Sequence, residues 1–162
     1  MRPSRLDLAG VLVAAAALCA PRAASADPTP TRHAAYLELL GKGSLWGAGY
    51  DYQPSRWFAF GAVGSFFVVR GERVTSFSPY VGAYPLGHDR HRLFVQGGPL
   101  LVHKQTPSPV PEWPGDSDTG LAAELSAGYE YRNGFLLRGF GMVSAGKGGV
   151  YPWVGLSLGW SL

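Results

Sequence analysis

The last twelve residues, Tyr151 to Leu162 (YPWVGLSLGWSL), restrict the fold more than any other stretch of this 162-residue chain. Val154, Leu156, Leu158, Trp160 and Leu162 occupy every second position, with Gly155, Ser157, Gly159 and Ser161 between them. A two-residue period places alternate side chains on opposite faces of a β-strand, so one face is wholly apolar and the other small or polar. A sheet in water gains nothing from an exposed row of Leu and Trp. A transmembrane barrel strand needs lipid-compatible groups outside, small or polar groups inside, and aromatics near an interface.

The other end of the chain indicates export. Arg2 and Arg5 give a positive start, Leu8 to Ala20 form an apolar core, and Ala24-Ser25-Ala26 supplies a small-residue cleavage site. The core is too short for a bilayer-crossing helix, which needs roughly 20 residues. Cleavage after Ala26 predicts a removed leader over 1–26, a short lead over 27–33 and a barrel over 34–162. The single cysteine, Cys19, lies inside the leader, so the remaining chain can form no disulfide. Lipoprotein signals resemble one another in having a small residue just before the cysteine, and Leu18 in that place argues against lipidation.

Arg2, Arg5, Arg22 and Asp7 belong to the leader, so of 14 basic and 11 acidic residues 11 and 10 remain beyond it. That near balance gives no electrostatic footprint for nucleic acid. Of the 23 glycines only Gly10 is in the leader. So much glycine would weaken a helical protein, whereas in a narrow barrel it leaves interior room for larger neighbours. The most apolar later stretch, Trp57 to Val69, contains Gly61, Gly64 and Ser65 and is too short for a spanning helix. It is ample for a tilted spanning strand.

Alternation and turn signals predict eight strands. The first, Ala34 to Gly41, sets Tyr36, Glu38 and Leu40 opposite Leu37 and Leu39; after Gly41-Lys42-Gly43-Ser44, the second runs from Leu45 to Tyr52 with Gly47, Gly49 and Asp51 on its small or polar face. Gln53-Pro54-Ser55 reads as a break, Arg56 to Val69 as the third strand and Arg73 to Tyr84 as the fourth, in which Pro79 marks irregular pairing or a bulge. A charged turn is expected over Pro85 to Arg90. The fifth strand, His91 to Lys104, directs Leu93, Val95, Pro99 and Leu101 outward and Gln96 inward. Gln105 to Thr119 (QTPSPVPEWPGDSDT) reads as the one long loop. The sixth strand, Gly120 to Tyr131, separates Leu121, Leu125 and Tyr129 from Glu124, Ser126 and Glu130.

Arg132-Asn133-Gly134 can close the next hairpin in two ways. A two-residue turn would place Arg138 on the lipid face, at about 2–4 kcal/mol near mid-membrane. A three-residue loop with a left-handed Gly134 pairs Tyr131 with Phe135 and turns Arg138 inward, opposite Gly128, and is the register adopted. Phe135 to Val143 and the terminal stretch complete an all-β, eight-stranded antiparallel up-and-down transmembrane β-barrel, which removes both sheet edges. Periplasmic termini would put the turns after the second, fourth and sixth strands in the periplasm and the long loop outside.

With these features in view, the chain resembles small bacterial outer-membrane barrels of the OmpA/OmpX type. The ending is similar to their C-terminal recognition strand, with Leu162 in place of the more usual final Phe. YLELLGKGSLWGAGYDYQ and YPWVGLSLGWSL also look like stretches of uncharacterised exported barrel proteins. The resemblance implies a monomer in the bacterial outer membrane, surrounded by lipid and lipopolysaccharide and inserted by the barrel assembly machinery through a strand carrying Leu158, Trp160 and Leu162. It implies no catalytic residue, no cofactor and no metal.

The inward polar set is Glu38, Asp51, Gln96, Glu124, Glu130 and Arg138. Buried charge requires pairing, and the reading is a polar plug that fixes the barrel, with an ion or proton path along the carboxylates as the alternative. An enzyme reading draws on His103 with Ser108, Ser117, Glu112, Asp116 and Asp118, the parts of a nucleophilic triad. A Ser in a Pro-rich loop lacks fixed geometry, and the His-x-Ser spacing of lipid A deacylases is absent. His103 therefore reads as interfacial, and His33, His88 and His91 as residues of the other end. Gly41-Lys42-Gly43 and Gly146-Lys147-Gly148 read as solvated turns. The function expected is structural or surface-interacting, with a lipid-A-modifying enzyme and a soluble lipocalin-like binder as alternatives.

Overall fold

The computed structural model describes residues 31–42, 45–69, 71–88, 90–108 and 115–162. The leader expected over 1–26 lies outside the described residues, as do Glu112 and Trp113 of the long loop.

Eight strands follow in order: β1 (His33–Leu39), β2 (Trp46–Ser55), β3 (Phe58–Val69), β4 (Glu72–His88), β5 (His91–Thr106), β6 (Asp116–Asn133), β7 (Phe135–Gly146) and β8 (Gly149–Ser161). Each pairs antiparallel with its neighbour in sequence, and β8 returns to β1, which closes the barrel. The closing ladder runs from Ala34↔Ser161 to Leu39↔Leu156. Leu162 N–H donates to the His33 carbonyl at 2.8 Å, and His33 N–H to the Leu162 carbonyl at 3.2 Å. No strand is left with an open row of donors and acceptors.

Several strands run further than alternation alone shows. Gln53-Pro54-Ser55 belongs to β2, with a register irregularity between Tyr52 and Ser55 that takes up the proline. Gln53 faces inward and its Oε1 accepts from Arg92 at 3.1 Å. Likewise β4 continues through Pro85 to His88, because a bulge between Ala83 and Leu86 absorbs that proline. Pro79 does not shift the register: it pairs with Ala62 of β3, while the β4–β5 ladder passes from Phe77↔Leu101 to Val81↔Gly97. At Gly98, a Cβ would lie 2.0 Å from the Pro79 carbonyl oxygen, so only glycine permits this approach.

The expected long loop is largely strand. β5 and β6 stay paired from His103↔Thr119 to Thr106↔Asp116, which leaves 107–115 as the connection. Polar side chains on both faces beyond the apolar band hid this extension, since the ladder needs only backbone groups. Ser144, Ala145 and Gly146, expected in a turn, likewise pair within β7–β8.

The β6–β7 hairpin is tighter than either register considered. Asn133 pairs with Phe135, Gly134 has φ +69°, and Glu130 sits directly across from Arg138. Tyr131↔Phe135 is therefore replaced by a pairing two residues further along the strands. A two-residue slip preserves the face on which every side chain lies, so Arg138 stays inside.

The interior uses the glycines as space. A Cβ on Gly49 would meet the Tyr36 ring at 2.4 Å, one on Gly61 the Tyr80 ring at 2.5 Å, and one on Gly155 the Phe140 ring at 2.4 Å. Each bulky interior ring lies over a neighbour without a side chain. Gly49→Ala is expected to destabilise the barrel by about 1–3 kcal/mol through overpacking against Tyr36. Gly64→Ala, with nothing within 4 Å of its Cβ position, is the neutral control. Equal denaturant midpoints for the two variants would contradict this packing.

Candidate functional site: a charged interior in two clusters

Interior positions of successive strands converge on the barrel axis, and charged groups gather there in two clusters. The first lies toward the end that carries the chain termini. Asp51 on β2, Arg92 on β5, Glu130 and Arg132 on β6 and Arg138 on β7 are all buried. Arg138 donates from Nε to Glu130 Oε2 at 2.6 Å and from Nη2 to Asp51 Oδ2. Arg132 Nη2 reaches Asp51 Oδ1 at 2.6 Å, and Arg92 Nη2 reaches Glu130 Oε1 at 2.5 Å. The Tyr84 hydroxyl donates to Glu130 Oε2 at 2.9 Å. Asp51 thus serves two arginines. Glu130 serves Arg92 and Arg138, with Arg132 Nε 3.5 Å away.

Aromatic faces complete the cluster. The Arg138 guanidinium lies 5.0 Å from the Tyr36 ring centre and the Arg92 guanidinium 4.5 Å from that of Tyr84. Tyr36 and Tyr80 hydroxyls meet at 2.8 Å. Side chains from β1, β2, β4, β5, β6 and β7 therefore cross the lumen and bind one another. The inventory of three arginines and two carboxylates leaves a formal charge of +1.

The second cluster lies toward the opposite end and contains Glu38, Lys42 and Glu124, each at most 5% exposed. Lys42 corrects the sequence expectation, because it is no solvated turn residue. Leu40 adopts φ +51°, which turns the chain after β1, and Lys42 N–H donates to Glu38 Oε1 at 2.6 Å. Lys42 Nζ then stands 3.9 Å from Glu38 Oε2 and 3.9 Å from the Tyr80 ring centre. Ser65 and Ser76 hydroxyls meet at 2.6 Å beside it, and Ser157 Oγ donates to Glu38 Oε2 at 3.4 Å. With one ammonium and two carboxylates, this cluster is formally −1. The two clusters balance each other.

Glu38, Asp51, Gln96, Glu124, Glu130 and Arg138 all lie inside, each at most 5% exposed. Alternation did not single out Lys42, Gln53, Arg92 or Arg132. Arg92 stood on the inward face of its strand beside Phe94 and could have been found by parity. Lys42, Gln53 and Arg132 lay in segments read as turns, where parity gives no direction.

Outside the lumen, His103 Nδ1 bonds the Thr119 hydroxyl at 2.9 Å, directly across the β5–β6 ladder. Ser117 pairs two positions further along, with Gln105. His103 is thus engaged by a threonine, with no carboxylate among the bonding partners shown for it. His88 and His91 face each other across the β4–β5 turn. Among the described residues no three His, Cys, Asp or Glu side chains form a metal-binding group. His33 and His91 pack on outward tyrosines: His33 Nδ1 bonds Tyr50 at 2.5 Å and His91 Nδ1 bonds Tyr129, with Tyr52 and Tyr131 rings at 5.0 and 5.1 Å.

The closed barrel and its eight-strand order allow comparison with solved structures. The fold is similar to the crystal structure of the N-terminal β-barrel domain of Pseudomonas aeruginosa OprF, with a TM-score of 0.61 and 15% identity. The match covers 83% of this chain and 100% of that domain. The chain has the eight-stranded OmpA-type barrel fold. No family model and no curated protein sequence matches it. The OprF barrel domain therefore relates the architecture of this chain to a known one and transfers no site residue.

Proposed function

We propose that this chain is an integral outer-membrane β-barrel, exported by its leader, with a structural or surface-interaction role and a lumen closed by its own side chains. The observation that carries the reading is the segregation of the two faces. Leu37, Phe60 and Val81 are 50–60% exposed on the outside, while eight charged side chains are buried inside. A continuous apolar belt facing water would be far larger than soluble monomers show. Facing lipid, it is the ordinary outer surface of a barrel. Tyr50, Tyr52, Tyr129, Tyr131 and Trp160 stand outward near the end that carries the termini, as an aromatic girdle at one interface. Outer-membrane lipid and lipopolysaccharide are then the surroundings, and β8 the strand read by the assembly machinery.

In this orientation the termini are periplasmic and the paired ends of β5 and β6 at Thr106 and Asp116 are external. β5 and β6, with 16 and 18 residues, exceed the roughly 9–11 that span a bilayer and stay paired to Thr106↔Asp116, beyond the last β6–β7 pair Ala122↔Gly146, so this side of the wall rises above the membrane as a surface for contacts. The ionic cluster favours a plug over a conduction path, because its carboxylates are already engaged by guanidinium groups. We infer a non-enzymatic role from the His103–Thr119 bond, which occupies the candidate base with a partner that cannot orient it as a carboxylate would.

Membrane residence is tested by fractionation: the protein is expected to require detergent for extraction and to migrate differently on a gel before and after boiling. Release into buffer without detergent would overturn it. Purified protein in liposomes is expected to give no swelling in isotonic sugar, and swelling above protein-free vesicles would refute the plug. Lipid A from expressing cells is expected to be identical with wild-type protein and with His103→Ala. An acyl change seen only with the wild type would make the protein an enzyme.

A further inference from the structure

The mouth opposite the termini contains a partly open cavity of about 370 Å³, lined by Gly41, Leu45, Phe67, Leu100, Met142, Ser144, Tyr151 and Trp153. Leu45, Phe67, Leu100, Met142, Tyr151 and Trp153 make its wall largely apolar, and the volume suits a small organic molecule. Its floor is charged. A Cβ on Gly41 would fall within 2.0 Å of Glu38 Oε1, so Glu38 and Lys42 lie immediately beneath that wall. Ser144 of this wall pairs directly with Glu124 across the β6–β7 ladder, which places Glu124 next to the wall.

This end of the lumen is locally short of positive charge. Glu124 is 5% exposed, yet neither of its carboxylate oxygens has a hydrogen-bond partner among the described residues. Ser78 Oγ, which neighbours the Glu124 carboxylate, and Gln96 Nε2 are also buried without a hydrogen bond of normal geometry. Lys42, the one ammonium of this cluster, lies 3.9 Å from Glu38 Oε2 and over the Tyr80 face, and its Nζ makes no hydrogen bond among the described residues. A buried carboxylate without a donor is costly. With two carboxylates and one ammonium, the cluster is one positive charge short at the base of an apolar cup.

We propose that this mouth binds an organic ammonium ion with an apolar body, its cationic head on Glu124 and its body against Leu100, Met142 and Trp153. Specificity follows from the unequal inventory of the cluster: an anionic head would meet two carboxylates against one lysine, and a neutral head would leave the cluster one positive charge short. The site requires only the barrel itself, so it stands apart from the cellular role proposed above.

Met142 is the only methionine besides Met1 and lines the cavity, so a carbon-13 methyl label on it reports binding directly. Residues 27–162 refolded in lipid nanodiscs are titrated with 4-phenylbutylamine, 4-phenylbutanol and 4-phenylbutyrate. The amine is expected to shift the Met142 methyl signal saturably, the alcohol at least about tenfold more weakly, and the carboxylate least of all. Glu124→Gln is expected to abolish the preference for amine over alcohol while the barrel remains heat-modifiable. Equal titration by amine and alcohol, tightest binding by the carboxylate, the absence of any saturable shift, or a preference that survives Glu124→Gln would each overturn the proposal. Should the Gln variant fail to refold, the wild-type series of three head groups decides alone.

Discussion

Glu130→Gln is expected to lower the stability of the refolded barrel by about 3–5 kcal/mol, measured as a shift of the urea midpoint at unchanged slope in lipid vesicles. The magnitude comes from the uneven inventory around the axis. Glu130 binds Arg92 and Arg138 and has Arg132 nearby. Without its charge, three buried guanidinium groups would depend on Asp51. Removal of an arginine is milder: Arg138→Met leaves Arg92 with Glu130 and Arg132 with Asp51, a neutral pair of pairs. The loss for Arg138→Met is therefore expected to be the smaller of the two. A Glu130→Gln barrel within about 1 kcal/mol of wild type would mean that the arginines find other compensation, and the plug would lose its energetic basis.

Leu158→Arg is expected to prevent most of the protein from reaching the folded, heat-modifiable form in outer-membrane fractions. Leu158 faces outward at 38% exposure and pairs with Leu37 on β1 and Leu137 on β7, so it sits on the seam that closes the cylinder. An arginine on the lipid face costs about 2–4 kcal/mol at the midplane and about 0–1 near an interface. The neighbouring Ser157→Ala loses only a 3.4 Å hydrogen bond to Glu38 and is expected to assemble normally. If Leu158→Arg and Ser157→Ala assemble equally well, the outward face of β8 does not meet lipid.

Both predictions depend on which face a residue occupies, and face is the property most legible in sequence. Alternation assigned Glu38, Asp51, Gln96, Glu124, Glu130 and Arg138 to the inside, because the two-residue period holds wherever a strand is unbroken. Registers and strand ends were less legible. The β6–β7 hairpin closed two residues tighter than the favoured loop, since slipping by two residues keeps every side chain on its own face and so carries no penalty visible in the pattern. Pro54 and Pro85 looked like strand breaks, but bulges carried β2 and β4 past them. The candidate ligand site was the least legible part. Lys42 enters the barrel because Leu40 takes a left-handed backbone and Glu38 captures the Lys42 amide, and neither follows from a Gly-Lys-Gly turn.

By itself, the sequence determined that this chain forms an antiparallel barrel with a greasy exterior and a small, polar interior. Hydrophobic periodicity is local, and burial of one face follows from it directly. Only the closed structure decided which interior charges meet. Arg92, Arg132 and Arg138 come from three strands, Asp51 and Glu130 from β2 and β6, and their distances depend on the stagger accumulated around the cylinder. The same stagger left Glu124 without a donor at the base of an apolar mouth, a result of tertiary register that no stretch of sequence encodes alone.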